Sequence, residues 1–154
     1  MTTLGEYLAA GGSQRRTPGV WDCCTFPADW AVLCGNRDPM AKWRGTYDTE
    51  VDAEHLIAEA ARRGEGFGRG GLETLFAEGM WAAGIPEIDY APGHAAHSLV
   101  TDPRMGDIGV VNLAGNEAGA IFTGKRWAFV PDRGLGFVSL DRSAITRAWR
   151  PHHG

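Results

Sequence analysis

The residue types best suited to covalent chemistry stand together at Asp22 and Cys23, directly before an apolar stretch with helical spacing. That spacing is i, i+4, i+7 and comprises Phe26, Trp30 and Leu33. An aspartate at the head of a helix accepts backbone N–H bonds as an N-cap, which would place Cys23 in the first turn. Because N–H groups and the helix dipole stabilise an anion there, we expect the pKa of the Cys23 thiol to be lowered. Cys23 is therefore a candidate nucleophile, with a small buried core side chain as the alternative.

A cysteine that cleaves an amide needs a base to take the thiol proton and an acid to protonate the departing amine. Among the five histidines, His94 and His97 are candidates for this general base, since their loop can face the thiol from another wall of a cleft. We expect His55 to be a surface or half-buried residue of the helix that follows Thr49, and His152 and His153 to lie in the tail. The i, i+3 spacing of His94 and His97 lacks a flanking cysteine or carboxylate at ligand spacing, so we predict no metal and no cofactor.

The composition of the 154-residue chain is that of one folded domain, with 44% hydrophobic and 22% charged residues. We expect a single domain at residues 1–150 and a flexible tail at 151–154. A net charge of −4 argues against a nucleic-acid partner, which requires clustered basic residues. The cysteine count of 3 is odd and suggests no disulfide framework, so we expect folding in a reducing cytoplasm. The apolar runs are too short to cross a bilayer, so we expect no membrane insertion.

Two periodicities divide the predicted elements into an N-terminal and a C-terminal group. Helices are predicted from Asp22 to a stop at Gly35, and from an N-cap at Thr49 through Arg63. After Gly106 the pattern changes to short runs rich in Val, Ile and Phe that are separated by turn residues. This change predicts an antiparallel meander from about residue 108 to residue 140. The sequence therefore indicates an α+β fold in which N-terminal helices pack on a C-terminal antiparallel sheet.

Three stretches of the chain resemble the NlpC-type cell-wall cysteine peptidases, a branch of the papain-like fold. The opening is "DCCTF", followed by an apolar helix that ends in "CG". The stretch "RMGDIGVV" is similar to the Gly-Asp turn that leads into the first sheet strand of that family. The stretch "AGAIFTGKRWAFV" is similar to the next two strands, which in active members begin with His-Val-Gly and carry the catalytic histidine.

Two further stretches narrow the resemblance to small phage and prophage proteins related to the NlpC type and encoded among tail genes. They are "DPMAKWRGTYDT" and "LGFVSLDRSAITRAWR", and the resemblance as a whole spans about residues 15–150. It places Cys23 at the nucleophile position and Gly106-Asp107 at the turn before the first strand. The histidine position falls at about Glu117 or Ala118, where the chain has no imidazole. A carboxylate at Glu117 can accept a proton, but a carboxylate is a poor acid for an amine leaving group at neutral pH.

The resemblance implies a structural or assembly component of a phage or prophage tail tip, built on a degenerate NlpC-like fold. Such a protein would be made and folded in the host cytoplasm, reside in the virion tail and bind other tail proteins. The alternative is an active cysteine peptidase or amidase, a hydrolase that cleaves peptidoglycan as the tail crosses the host wall. Peptidoglycan would then be a further partner. A third interpretation, an unrelated cytosolic thiol enzyme, depends on Cys23 alone.

Overall fold

The computed structural model describes residues 2–88 and 102–153, and in these ranges helices precede most of the strands. The helices are α1 (Leu4–Gly11), α2 (Thr25–Leu33), α3 (Glu50–Gly64) and α4 (Gly71–Ala83). The strands are β1 (Glu87–Ile88), β2 (Ile108–Leu113), β3 (Asn116–Phe122), β4 (Trp127–Phe129), β5 (Gly136–Val138) and β6 (Ile145–Trp149). Short 3-10 turns lie at Glu65–Phe67 and Arg142–Ala144. The predicted α+β class is confirmed.

All six strands of the described residues form one sheet in the order β1-β6-β2-β3-β4-β5. Every neighbouring pair is antiparallel, so the meander predicted between residues 108 and 140 is confirmed as β2 to β5. The sequence did not indicate β6, which lies between β1 and β2. A register shift between Val110 and Val111 accompanies the pairing of β2 with β6. Because such a bulge breaks the alternation of inward and outward side chains, β6 lacks a period-2 pattern.

The helix ends follow the capping residues that the sequence predicted. The Thr49 hydroxyl accepts a bond from the Asp52 N–H at 3.1 Å, and α3 begins at the next residue. At the other end of α2, Gly35 has a φ of 95°, and the N–H of Asn36 donates to the carbonyl of Ala31. This is the Schellman pattern, in which a left-handed glycine ends the helix. None of the helices in the described residues is long and apolar enough to cross a membrane.

The main core lies between the helices and one face of the sheet. The buried side chains that meet there include Phe26, Trp30, Leu72, Leu75, Ile108, Val110, Ile121 and Trp149. Helix α2 contacts β3, while α4 contacts β2, β3 and β6. The opposite face of the sheet carries a smaller cluster around Val111, Ala120, Trp127 and Ala148. Packing α2 on β3 places the residues before α2 next to the middle of that strand.

The segment after β6 returns to the end of α2. Pro151 is buried, and the N–H of His152 donates to Oδ1 of Asn36 at 3.0 Å. Nδ2 of Asn36 donates in return to the carbonyl of His152 at 2.8 Å, and the His153 ring lies 6.0 Å from the Trp30 ring. Residues 151–153 therefore have packing contacts with the end of α2.

Candidate thiol site

The buried carboxylate of Asp22 organises the turn that leads into α2. Its Oδ1 accepts bonds from the N–H groups of Cys24 at 2.9 Å and Thr25 at 2.8 Å. Its Oδ2 accepts bonds from the Gly19 N–H at 2.8 Å and the Tyr47 hydroxyl at 2.6 Å. The Thr25 hydroxyl accepts the Asp22 N–H in return at 2.9 Å, as in a capping box. The predicted capping role of Asp22 is confirmed.

The regular helix nevertheless begins at Thr25, later than the sequence predicted. Cys24 occupies the N-cap position, and Cys23 lies in the turn before it. The Asp22 carbonyl already accepts the first helical bond, from the N–H of Phe26 at 3.0 Å. Cys23 therefore sits within the capped turn, where free N–H groups concentrate, although it precedes the first residue of α2.

Cys23 is half-buried and lines a cavity of about 120 Å³ between the segment 16–24 and α3. Cys24 contributes to the same wall and is buried, with 4% of its surface exposed. Arg16 also lines the cavity, and its Nε lies 3.0 Å from Oε1 of Glu50 at the start of α3. Ile57 closes the far side. The thiol therefore faces a small space with one cation at its rim.

The surroundings of the two thiols drive their pKa values in opposite directions. The pKa of Cys23 is lowered, chiefly by a hydrogen bond from the Cys24 thiol and further by Arg16 and the backbone of Gly119. Burial and the negative charge of Asp22 oppose that shift. The pKa of Cys24 is raised well above its ordinary value by the same hydrogen bond and by burial. The arrangement favours a thiolate at Cys23 and a protonated thiol at Cys24.

The absence of a side chain at Gly119 lets the capped turn lie directly on β3. A Cβ added at Gly119 would come within 2.0 Å of the Cys23 carbonyl oxygen and 2.6 Å of the Phe76 ring. Any larger residue would push the start of α2 away from the strand. Sequence reasoning identified Cys23 but missed the pairing with Gly119, for which the Gly-Ala pattern of β3 was the available signal.

Glu117 is one of the two residues, with Ala118, at which the resemblance puts the histidine, and its carboxylate lies at the N-terminus of α4. Its Oε1 accepts a bond from the Leu72 N–H and its Oε2 one from the Glu73 N–H, both at 3.3 Å. Glu117 and Gly119 share one face of β3, since side chains two residues apart on a strand point the same way. The carboxylate thus lies on the side of the sheet that holds Cys23, where it caps α4.

No described histidine lies at the Cys23 thiol. His94 and His97 lie outside the described residues. His55 is exposed on α3, and no histidine of residues 2–88 and 102–153 lines the cavity at Cys23. Within those same ranges, no group of three or more His, Cys, Asp or Glu side chains is placed to hold a metal ion.

Two of the stretches that carry the resemblance hold Asp22 and Asp107 in place. The sequence alone indicated no role for the residues involved. Tyr47, from "RGTY", donates its hydroxyl to Asp22. Arg150, from "AWR", donates to both oxygens of Asp107 at 2.8 Å, and Asp107 is only 1% exposed. The Arg104 N–H adds a third bond to Asp107 at 2.8 Å. The Gly-Asp turn before β2 is therefore fixed to the end of β6.

Together these features define an α+β domain in which a capped, half-buried cysteine precedes a helix that lies on an antiparallel sheet. The chain belongs to the family described as Domain of unknown function (DUF6950), whose model matches residues 1–151. No curated protein and no solved structure matches the chain. The relation to NlpC-type peptidases stays a prediction from the sequence motifs.

Proposed function

We propose that the protein is a structural or assembly component of a phage or prophage tail tip, with a degenerate NlpC-like cysteine-peptidase fold. It acts by docking to other tail proteins in the virion tail. The observation that supports this proposal most directly is the position of the Glu117 carboxylate at the N-terminus of α4. The resemblance puts the catalytic histidine of active members at about Glu117 or Ala118, where this chain has no imidazole, and the Glu117 carboxylate caps α4.

A thiolate without an acid does not cleave an amide. Attack of Cys23 on a peptide carbonyl forms a tetrahedral adduct that breaks down by expelling the better leaving group, the thiolate, unless the amine is protonated. Among the described residues around the cavity, the groups that carry a proton at neutral pH are Arg16, Tyr47 and Cys24. Arginine stays protonated above about pH 12, and the pKa values of Tyr47 and Cys24 are raised, in each case with burial among the causes. None of the three is an effective acid at neutral pH.

The size of the cavity also favours a non-catalytic role. Sites for drug-sized ligands have volumes of about 300–1,000 Å³, whereas the space beside Cys23 is about 120 Å³. Helix α3 contributes Ala53, Glu54 and Ile57 to its wall. Among the described residues, α3 therefore limits the space beside the thiol.

The second candidate function is an active peptidoglycan-cleaving cysteine peptidase or amidase. The lowered pKa of the Cys23 thiol favours it, because a nucleophilic cysteine reacts as the thiolate. Its general base would be His94 or His97. Both functions require the same fold and differ in whether an imidazole reaches Cys23.

Turnover of purified peptidoglycan fragments separates the two functions. We expect the wild type to release no more product than a Cys23→Ala variant, since loss of acid–base assistance removes a factor of about 10²–10⁴. Turnover that disappears in Cys23→Ala would show that the protein is an enzyme. His94→Ala and His97→Ala would then identify the base, because only the variant that removes the base would lose activity with Cys23 intact.

A deletion in the phage or prophage that encodes the chain tests the tail role itself. We expect the deletion to abolish infectious tails, and we expect a plasmid copy with Cys23→Ala to restore them as well as the wild-type copy does. The chain should also be present in purified virions by mass spectrometry. Normal tails in the deletion, together with absence of the chain from virions, would refute the proposal.

A further inference from the structure

We propose that the Cys23–Cys24 pair is a modification site for small hydroperoxides, at which Cys23 is oxidised to a sulfenic acid that its neighbours stabilise. The inference is independent of the tail role and of any peptidase activity. It concerns a thiol that the proposed docking function leaves unused.

The geometry brings an oxidisable sulfur, a donor and a cation to one small cavity. Cys23 is half-buried and lines the cavity, and the more deeply buried Cys24 lies beside it. The Cys24 thiol and the Gly119 backbone act to lower the pKa of Cys23, together with Arg16, which lines the same cavity and supplies positive charge. A volume of about 120 Å³ holds several molecules the size of water, each of which occupies about 30 Å³ in the liquid.

The oxidation balances with a hydroperoxide as the only co-reactant. The Cys23 thiolate attacks the terminal oxygen of ROOH, an S–O bond forms and the O–O bond breaks. The sulfur loses two electrons and becomes Cys–SOH, while the departing RO⁻ takes a proton from water and leaves as ROH. The Arg16 guanidinium lies at the rim of the cavity, where it stabilises the negative charge that develops on the departing oxygen.

The charges around the cavity select the oxidant. Arg16 is the one positive side chain of the described lining, and it already pairs with Glu50. Glu50 and Glu54 on α3, together with the buried Asp22, give the rest of the lining a negative character. Glu117 lies farther along β3, with its carboxylate on α4. A small neutral peroxide can enter this space. A larger anionic disulfide does not fit the volume and is repelled by the acidic residues.

The sulfenic acid should persist rather than close to a disulfide with Cys24. Adjacent Cα atoms are about 3.8 Å apart, which is below the ~4.4–6.8 Å range of disulfides. The attacking species in disulfide formation is a thiolate, and the raised pKa keeps Cys24 protonated. Cys24 therefore acts as a hydrogen-bond donor to Cys23.

The test treats the full-length reduced chain with hydrogen peroxide, traps sulfenic acid with dimedone and locates the adduct by mass spectrometry. We expect the adduct on Cys23, with Cys34 as an internal control because Cys34 is buried and its pKa is raised to about 11. Cys24→Ala removes the donor and should slow Cys23 labelling at pH 7 severalfold, because a smaller fraction of the thiol is then ionised. Cys24→Ser keeps a hydroxyl donor and should label within about twofold of the wild type. Circular dichroism checks that both variants fold.

Three results would overturn the proposal. They are equal labelling rates in Cys24→Ala and Cys24→Ser, labelling of Cys34 as fast as Cys23, and conversion of the pair to a disulfide with loss of two mass units. Failure of Cys23 to label at all would also refute it. The wall-fragment and virion experiments do not use peroxide, so their outcomes are separate from this one.

Discussion

The carbonyl oxygen of Cys23 lies where a Cβ on Gly119 would come within 2.0 Å of it. The contact joins the capped turn before α2 to the middle of β3. Backbone meets backbone there, so neither side can relax by moving a side chain. This contact sets the position of the thiol relative to the sheet.

Replacing Gly119 by alanine should therefore destabilise the fold strongly. Overpacking a rigid site costs about 1–3 kcal/mol, and we expect the upper end because the clash is with backbone. Gly66→Ala is the matched control, since a Cβ at Gly66 has no atom within 4 Å and its φ is not left-handed. The measurement is urea unfolding of both variants. Similar losses in the two would show that the contact with Cys23 does not limit position 119.

Glu117→Ala should destabilise the domain by removing the cap of α4. Loss of a side-chain cap costs about 0.5–2 kcal/mol. Glu117→Gln retains acceptor oxygen for the N–H groups of Leu72 and Glu73, so we expect a smaller loss. Thermal unfolding of the two variants and the wild type gives the comparison. An unchanged melting temperature in Glu117→Ala would mean that the carboxylate is free for another role.

The rate of Cys23 alkylation by iodoacetamide should rise with pH to a midpoint below about 8.5, the ordinary pKa of a free cysteine. The physical reason is the lowered pKa of Cys23. Arg16→Gln removes one of its causes and should move the midpoint upward. The midpoint for Cys34 should lie near its pKa of about 11. A Cys23 midpoint at or above 8.5 would contradict the assignment of a stabilised thiolate.

Stability should fall as the pH rises above about 10. Burial raises the pKa values of Tyr7 and Tyr47, so the folded chain keeps phenol protons that the unfolded chain releases. Above pH 10, each retained proton lowers the free energy of unfolding by up to about 1.4 kcal/mol per pH unit. Below pH 10 the phenols are protonated in both states, so their full contribution to stability is present there. Tyr47→Phe should show a shallower alkaline decline, although it loses the bond to Asp22. Urea midpoints between pH 8 and 11 test this, and parallel curves would refute it.

Asp107→Asn should be among the most destabilising polar substitutions in the described chain. It removes the charge of a carboxylate that is 1% exposed and breaks its ionic interaction with the guanidinium of Arg150. Breaking a buried pair costs about 3–5 kcal/mol, and the partial exposure of Arg150 favours the lower end. Glu78→Gln breaks the exposed pair with Arg63 and should cost less than about 1 kcal/mol. Equal losses in chemical denaturation would contradict this ranking.

Several elements were predictable because their causes are local. Thr49 caps α3 through an N–H three residues away, and Gly35 ends α2 through its own backbone conformation. The change after Gly106 from helical spacing to short runs of Val, Ile and Phe indicated the meander, because this pattern is also local. Strand β6 was not predictable, because its bulged pairing with β2 depends on a partner far away in the chain and hides the alternation.

By itself, the sequence determined the α+β class, the capping role of Asp22 and the presence of a thiol beside it. These properties depend on residues within about one helical turn or one strand, over which side-chain type controls backbone conformation. Only the tertiary structure decided what surrounds Cys23. The turn at Cys23 is approached by Arg16 and Tyr47 from two separate loops and by Gly119 from β3. The carboxylate of Glu117 binds the N-terminus of α4. Those placements follow from the packing of α2 on β3 and of α4 on the sheet, because non-local burial brings together residues that no sequence spacing connects.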